Sequence, residues 1–259
     1  MKETVYQLDL PVPIALLSDL HNRPFQKIID SLEKKKPQII AITGDIIYGS
    51  QPEDEAPVVK KQENVLPFLS ACSALAPTFL SLGNHEWPLC EEDLSLIHDT
   101  GVILLNNTWT EWNGILIGGL TSAYVKEYRA YVERLRVSEK TSARYPGRDW
   151  MEVTEKNSRH VPDISWLRDF GAACGYHILL SHHPEYFPLI PREVELILSG
   201  HAHGGQIRLF NHGLFAPGQG WWPAWTGGVV EGRMVISRGL ANTAPVPRLF
   251  NPVEIVYLR

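Results

Sequence analysis

Five apolar runs in this chain each end in a short cluster of polar residues, and that repeated pairing limits what it can fold into. Residues 14–17 lead into Asp19-Leu20-His21, 39–43 into Gly44-Asp45, and 78–82 into Gly83-Asn84-His85-Glu86. Farther along, 178–180 lead into Ser181-His182-His183 and 195–198 into Gly200-His201-Ala202-His203. Short apolar runs rich in branched residues read as strands buried on both faces. A strand delivers the residues that follow it to one edge of its sheet. Several such strands can therefore pool carboxylate, amide and imidazole groups at one place.

Helical periodicity fills the spaces between the first runs. A helix is predicted over 25–35, where Ile28, Ile29 and Leu32 form an apolar stripe opposite Lys34, Lys35 and Lys36, and Pro37 stops it. Others are predicted over 58–75, ahead of Pro77, and over 91–99, ending near Gly101. Strand character resumes at 102–105, and Asn113-Gly114 suits a hairpin turn between 109–112 and 115–117. The stretch 122–159 is rich in charge and aromatics and reads as a helix to about residue 136 followed by an irregular insertion. Segments 206–210, 234–237 and 254–258 suggest a mostly β ending. Alternating β and α followed by β-rich sequence implies an α/β architecture with more than one sheet. One domain over 1–259 is expected, with an embedded insertion at about 122–160.

Charge and cysteine usage narrow the function. A formal net charge of −5 gives no general attraction to nucleic acid or anionic membranes, and no specific nucleic-acid partner is expected. Cys72, Cys90 and Cys174 lack CxxC spacing and read as buried free thiols. No stretch approaches the ~20 apolar residues of a membrane span, and the first residues do not resemble a signal peptide. The expected location is the cytoplasm, with peripheral membrane association left open; the oligomeric state is not legible.

The motifs themselves specify chemistry. Asp19 and His21 are two apart, so on extended backbone they face one side and can bite one cation; His201 and His203 share that spacing. Asp45 has two oxygens able to bridge two cations, Asn84 offers a neutral carbonyl oxygen, and His182 adds an imidazole. On an extended chain His182 and His183 point to opposite faces, so one of the two is expected to coordinate. A mixed nitrogen and oxygen donor set without thiolate suits two divalent transition-metal ions (Mn, Fe, Zn, Ni or Co, with Mn favoured) rather than a dedicated calcium site. His98, His160, His177 and His212 lie outside the motifs and read as surface or structural residues.

In this order, Asp-x-His, Gly-Asp, Gly-Asn-His-Glu, His and Gly-His-x-His resemble the calcineurin-like metallophosphoesterase superfamily over about residues 14–205. The tail, with Gly204-Gly205-Gln206, Ser237-Arg238-Gly239-Leu240 and Arg248-Leu249-Phe250-Asn251-Pro252, resembles its bacterial phosphodiesterase branch. The resemblance implies a four-layer α/β/β/α sandwich of two mixed sheets with a dimetal site at one edge. It puts Asp19, His21 and His203 on the first metal, makes Asp45 the bridge, and gives the second metal Asn84, His182 (in preference to His183) and His201. His85 takes the place of the catalytic histidine. Tyr48 departs from the second Asp that the family often carries three residues after its Gly-Asp. A protein serine/threonine phosphatase would need Asp-Arg-Gly after the second motif, where Ile46-Ile47-Tyr48-Gly49 stands.

The implied activity is hydrolysis of phosphodiester, or phosphomonoester, bonds by in-line attack of a hydroxide bridging the two metals. His85 is expected to protonate the departing alkoxide, with Glu86 and Asp45 orienting imidazole rings. The expected partner is a small phosphorylated substrate, with room for an apolar group. Arg23 is a candidate for contact with a phosphate oxygen, against a solvated loop arginine. Trp221 and Trp222, with Trp225, are candidates for the wall of an apolar subsite, against packing in the core. The alternative function is a non-catalytic protein-interaction module on the same fold.

Overall fold

The computed structural model describes residues 1–48, 57–123, 162–210, 212–217, 219–243 and 246–259. The predicted helix after residue 122 and the insertion that follows it lie almost wholly outside these residues. The first sheet contains β1 (Lys2–Tyr6), β2 (Ile14–Leu17), β3 (Ile39–Ile42), β4 (Thr78–Ser81), β5 (Ile103–Leu105) and, from the far end of the chain, β16 (Glu254–Leu258). Their order is β1-β16-β2-β3-β4-β5. β2 to β5 run parallel, and β16 lies antiparallel to β2 and parallel to β1.

The second sheet contains β6 (Thr108–Trp112), β7 (Ile115–Leu120), β8 (Tyr176–Ser181), β9 (Leu196–Ser199), β14 (Gly228–Val230) and β15 (Met234–Ile236). Their order is β14-β15-β9-β8-β7-β6, with the four central strands parallel. Between β9 and β14 in the chain lie two small hairpins, β10 (Arg208–Leu209) with β11 (His212–Gly213) and β12 (Phe215–Ala216) with β13 (Gly220–Trp221).

Alternation along each strand builds four layers. Ile14, Leu16, Ile39, Ala41, Phe79 and Val256 face Ile117, Ile178, Leu180, Leu198 and Val235 in the core between the sheets. The intervening residues Ala15, Leu17, Ile40, Ile42 and Leu80 face outward beneath α1 (Gln26–Lys35), α2 (Val65–Leu75) and α3 (Glu91–Asp99). On the far side, Leu116, Leu179 and Ile197 are covered by Leu167 and Phe170 of α4 (Leu167–Ala172) and by Tyr186 and Phe187. The strands are continuous apolar runs because both of their faces are covered. This is the expected α/β/β/α sandwich.

The second predicted helix differs from expectation. Residues Val59–Lys61 form a 3-10 turn, Gln62 is extended, and the α-helix begins at Val65. The break lets two polar side chains brace the loops after β2 and β3. Gln62 accepts the Tyr48 N–H at 2.8 Å and donates to the Tyr48 carbonyl at 3.0 Å. Asn64 donates twice to Asn22, from its N–H to the Asn22 side-chain oxygen and from its side-chain amide to the Asn22 carbonyl, both bonds 2.9 Å. The expectation of three buried thiols holds for Cys72 alone. Burial pushes that thiol up to about 12, whereas Cys90 is half-buried at the start of α3 and Cys174 is exposed.

Glu254 locks β16 into place. Its fully buried carboxylate accepts Thr4 Oγ1 at 2.6 Å and the Arg238 N–H at 3.0 Å, and it pairs with the Arg238 guanidinium. Burial works to raise the Glu254 carboxyl, but the bonds from Arg238 and Thr4 outweigh it and hold the group below its ordinary 4.5. A carboxyl depressed on folding contributes stability that is present above about pH 4.5 and is lost as pH falls through the lower native value. Arg238→Ala should cost about 3–5 kcal/mol at pH 7 by leaving a buried carboxylate unpaired. Urea unfolding measures this, and a loss under about 1 kcal/mol would contradict it.

Candidate metal centre

Because β2, β3 and β4 run parallel, as do β8 and β9, the five polar motifs leave their strands in register along common edges. The loops are stitched together beyond the strands. Asp19 N–H donates to the Gly44 carbonyl (3.1 Å), His21 N–H to Asp45 (3.0 Å), and Asn22 N–H to Ile46 (2.9 Å). Gly200 N–H donates to the His182 carbonyl (2.9 Å), and Ser122 N–H crosses between the sheets to Leu82 (3.0 Å). Gly44 is required at its turn: its φ is +94°, and a Cβ there would lie 2.3 Å from the Gly83 nitrogen. Gly239, also left-handed, lets the loop after β15 pass with room for no more than a hydrogen beside Asp19.

The local backbone corrects one expectation. Asp19 and His21 do not share a face through extended backbone, nor do His201 and His203. All four, and Asp45, have φ between 46° and 64°. Left-handed backbone is uncommon for residues other than glycine, though Asp, Asn and His tolerate it best. Tight turns therefore aim these side chains inward, and the strain is held by the surrounding loop bonds.

The resulting cluster is compact. Asp19 Oδ1 lies 3.5 Å from His203 Nε2 and 3.9 Å from His21 Nε2. Asp45 Oδ2 lies 3.1 Å from His182 Nε2, 3.8 Å from His21 Nε2 and 3.9 Å from His85 Nε2. Candidate donor groups for a cation are Asp19, His21 and His203; His21, Asp45 and His85; Asp45, His182 and His201; and His183, Glu185 and His201. Asn84 and His85 line the same cavity as Asp45, His201 and His203.

Both Asp19 oxygens, His21 Nε2, Asn84 Oδ1 and His182 Nε2 are buried with no hydrogen-bond partner. His182 Nε2 is close to Asp45 without the geometry of a hydrogen bond. Burying unpartnered carboxylate oxygens costs several kcal/mol, which a bound cation offsets.

Charge states agree with that reading at His21 and His201; His182 differs, because its burial is outweighed by the adjacent Asp45 carboxylate, which pushes it up to about 9. Burial, with His85 as neighbour, pushes His21 down to about 3, and burial beside His182 does the same to His201. Both imidazoles are thus neutral, with a lone pair to give. Burial also opposes ionisation of Asp19 and Asp45, yet the surrounding histidines reverse it and hold both carboxyls below their ordinary range.

Backbone carbonyls steer two of the rings: His21 Nδ1 lies 3.2 Å from the Ile47 oxygen, and His182 Nδ1 lies 2.8 Å from that of Thr43. Glu86 does not orient imidazoles as expected. Its buried carboxylate accepts the N–H groups of Gly83 (2.7 Å), Asp45 (2.8 Å), Ile46 (2.8 Å) and Ile47 (3.3 Å), welding two loops together. His183 turns away from Asp19 and Asp45. Its Nε2 is 2.8 Å from Ser122 Oγ, and its Nδ1 is 3.8 Å from Glu185.

Among the candidates for substrate contact, Trp221 lines the cavity and is 76% exposed. Trp222 is equally far from core packing at 72% exposed, but Trp222 and Arg23 lie outside the lining. Trp225 packs against Phe187. Of the other histidines, His177 is buried against Glu195 and the Ala173 carbonyl, His98 and His212 are exposed, and His160 lies outside the described residues.

Two residues were not anticipated as parts of the site. Arg248 Nη2 sits 2.9 Å from His203 Nδ1, and Asn251 Nδ2 donates to the His203 carbonyl at 2.7 Å. Their sequence signal was membership in the tail motif, without any hint of what they touch.

The donor set fits a divalent metal centre. The chain is 26% identical over 258 residues to an uncharacterized metallophosphoesterase of Campylobacter jejuni, covering 95% of this chain and 56% of that protein's length. It is 24% identical to another from Aquifex aeolicus, covering 95% and 83%. Its fold is similar to a dimetal phosphatase from Danio rerio at 13% identity, with a TM-score of 0.48 and coverage of 90% and 89%. The family model for calcineurin-like phosphoesterases matches residues 12–205, and with most of its length so matched, this chain belongs to that family.

Proposed function

We propose that this protein is a dimetal phosphoesterase with phosphodiesters as its preferred substrates. The observation that carries the reading is the cluster of buried, unpartnered atoms of Asp19, His21, Asn84 and His182, packed behind a cavity that Asp45, Asn84, His85, His201 and His203 line. Asp19, His21 and His203 would hold one divalent transition-metal ion and Asn84, His182 and His201 a second, with Asp45 shared between them. Manganese is the favoured metal, on the strength of the oxygen donors among the imidazoles. Bound there, the cations would acidify water and neutralise charge on the phosphoryl oxygens.

The protein's own part is positional. Neutral His21 and His201 and ionised Asp19 and Asp45 are fixed by turns that cannot relax without breaking the loop bonds described above. His85, 19% exposed in its side chain, reaches the cavity wall while its backbone N–H is held by Asp45 Oδ1 at 2.9 Å. An imidazole so placed can give a proton to the departing ester oxygen. The cavity continues past these groups, which leaves space for the second ester arm of a diester. A long nucleic acid is disfavoured by the acidic net charge of −5. No helix among the described residues is long and apolar enough to cross a membrane.

His85→Ala should lower kcat by about 10²–10⁴-fold with metal content unchanged. The loss should be larger for alkyl leaving groups than for nitrophenolate, which departs without a proton. Turnover of both substrate types beside elemental analysis tests this, and equal losses for the two would remove His85 as the proton donor. Reconstitution with Mn, Zn, Fe, Ni or Co, each assayed on bis-(p-nitrophenyl) phosphate, tests the activity itself.

A further inference from the structure

The cavity lined by part of the metal centre has a volume of about 590 Å³ and a lining of two kinds. Asp45, Asn84, His85, His201 and His203 contribute metal-centre groups. Leu214, Phe215, Pro217, Trp221 and Val246, together with Ile207, contribute apolar surface. None of the described residues lining it is a lysine or arginine. Among the described lining residues, a second anionic or sugar-phosphate arm would meet no lysine or arginine.

The apolar wall is built rather than incidental. Phe215 and Trp221 face each other across the β12–β13 hairpin, ring centroids 5.6 Å apart in an edge-to-face arrangement. Gln206 donates its side-chain amide to Asn242 and to the Val246 carbonyl, tethering the loop that brings Val246 to the cavity. Phe215, Val246 and Trp221 remain 43%, 47% and 76% exposed. Large apolar groups left open to water beside catalytic groups mark a ligand surface.

We infer that this wall seats a hydrocarbon chain, so that the substrate of the site is an amphiphilic phosphate ester: phosphate at the metal centre, alkyl or acyl chain along Phe215, Trp221 and Val246. The inference rests on the phosphoesterase reading for the placement of the phosphate.

Binding and turnover test the two separately. Calorimetry on the metal-loaded full chain compares methyl, butyl, octyl and phenyl phosphate below their micellar concentrations. Each fully buried methylene strengthens binding up to about fourfold, so partial burial of the octyl chain should make it at least ~30-fold tighter than methyl phosphate. Phe215→Ala and Val246→Ser should each shrink that gap several-fold; both positions are partly exposed, and an unchanged melting temperature verifies the fold. The same series as p-nitrophenyl alkyl diesters reports kcat/KM.

A flat series overturns the inference, as does a gap that both variants retain. Phenyl phosphate binding as tightly as octyl would also overturn it, by showing an aromatic slot in place of a chain groove. Diester turnover without dependence on chain length leaves the phosphoesterase standing and sinks the amphiphile. A chain-length gap in binding with no turnover of any ester does the reverse.

Discussion

Asp45→Asn should remove at least one cation from each chain and lower phosphodiester turnover on the order of 10³-fold. The carboxylate sits at the centre of the donor cluster, within 4 Å of the ring nitrogens of His21, His85 and His182. An amide presents one neutral oxygen in place of two charged ones, so it can satisfy a single cation and compensate no charge. Losing one Lewis acid removes several kcal/mol of transition-state stabilisation, and 1.36 kcal/mol is a factor of ten. Elemental analysis with turnover of bis-(p-nitrophenyl) phosphate decides the matter. Two metals per chain and near-normal activity in the variant would take Asp45 out of its bridging position.

Glu86→Ala should be the most destabilising single change near the site. Four backbone N–H groups from the loops after β3 and β4 lose their acceptor at once, in a place where water does not reach. Each unsatisfied buried donor costs about 1–3 kcal/mol, so the sum rivals the whole stability of an ordinary domain. Glu86→Gln keeps one acceptor oxygen and should lose much less. Urea midpoints of the two variants give the comparison. A loss below about 1 kcal/mol for the alanine variant would mean that other groups close the turns.

The strands and the polar residues after them were legible because covering both faces of a strand leaves a local mark, an unbroken apolar run. β2 and β16 coincide with their predicted bounds for that reason. β1 escaped notice: Lys2–Tyr6 is polar and mostly exposed, and becomes a strand by pairing with β16. β10 falls inside the predicted β segment 206–210, but the two-residue strands β11, β12 and β13 leave no periodicity to read, and short α4 was missed for the same reason. At the site, residue type revealed the donors while the backbone that aims them stayed hidden. Left-handed turns at Asp19, His21, Asp45, His201 and His203 are imposed by loop-to-loop bonds between distant segments. Glu86, Arg248 and Asn251 act on partners dozens of residues away, which no local pattern encodes.

The insertion of β16 between β1 and β2 has a kinetic consequence. Thr4 and Glu254, bonded to each other, are 250 positions apart. Arg248 and Asn251, just upstream of that strand, grip the turn that carries His203. A polypeptide that has folded every donor up to His203 still lacks the strand that joins β1 to β2 and the clasp on that turn. Assembly of the site should therefore be one cooperative event that waits on these segments, far apart in sequence, coming together.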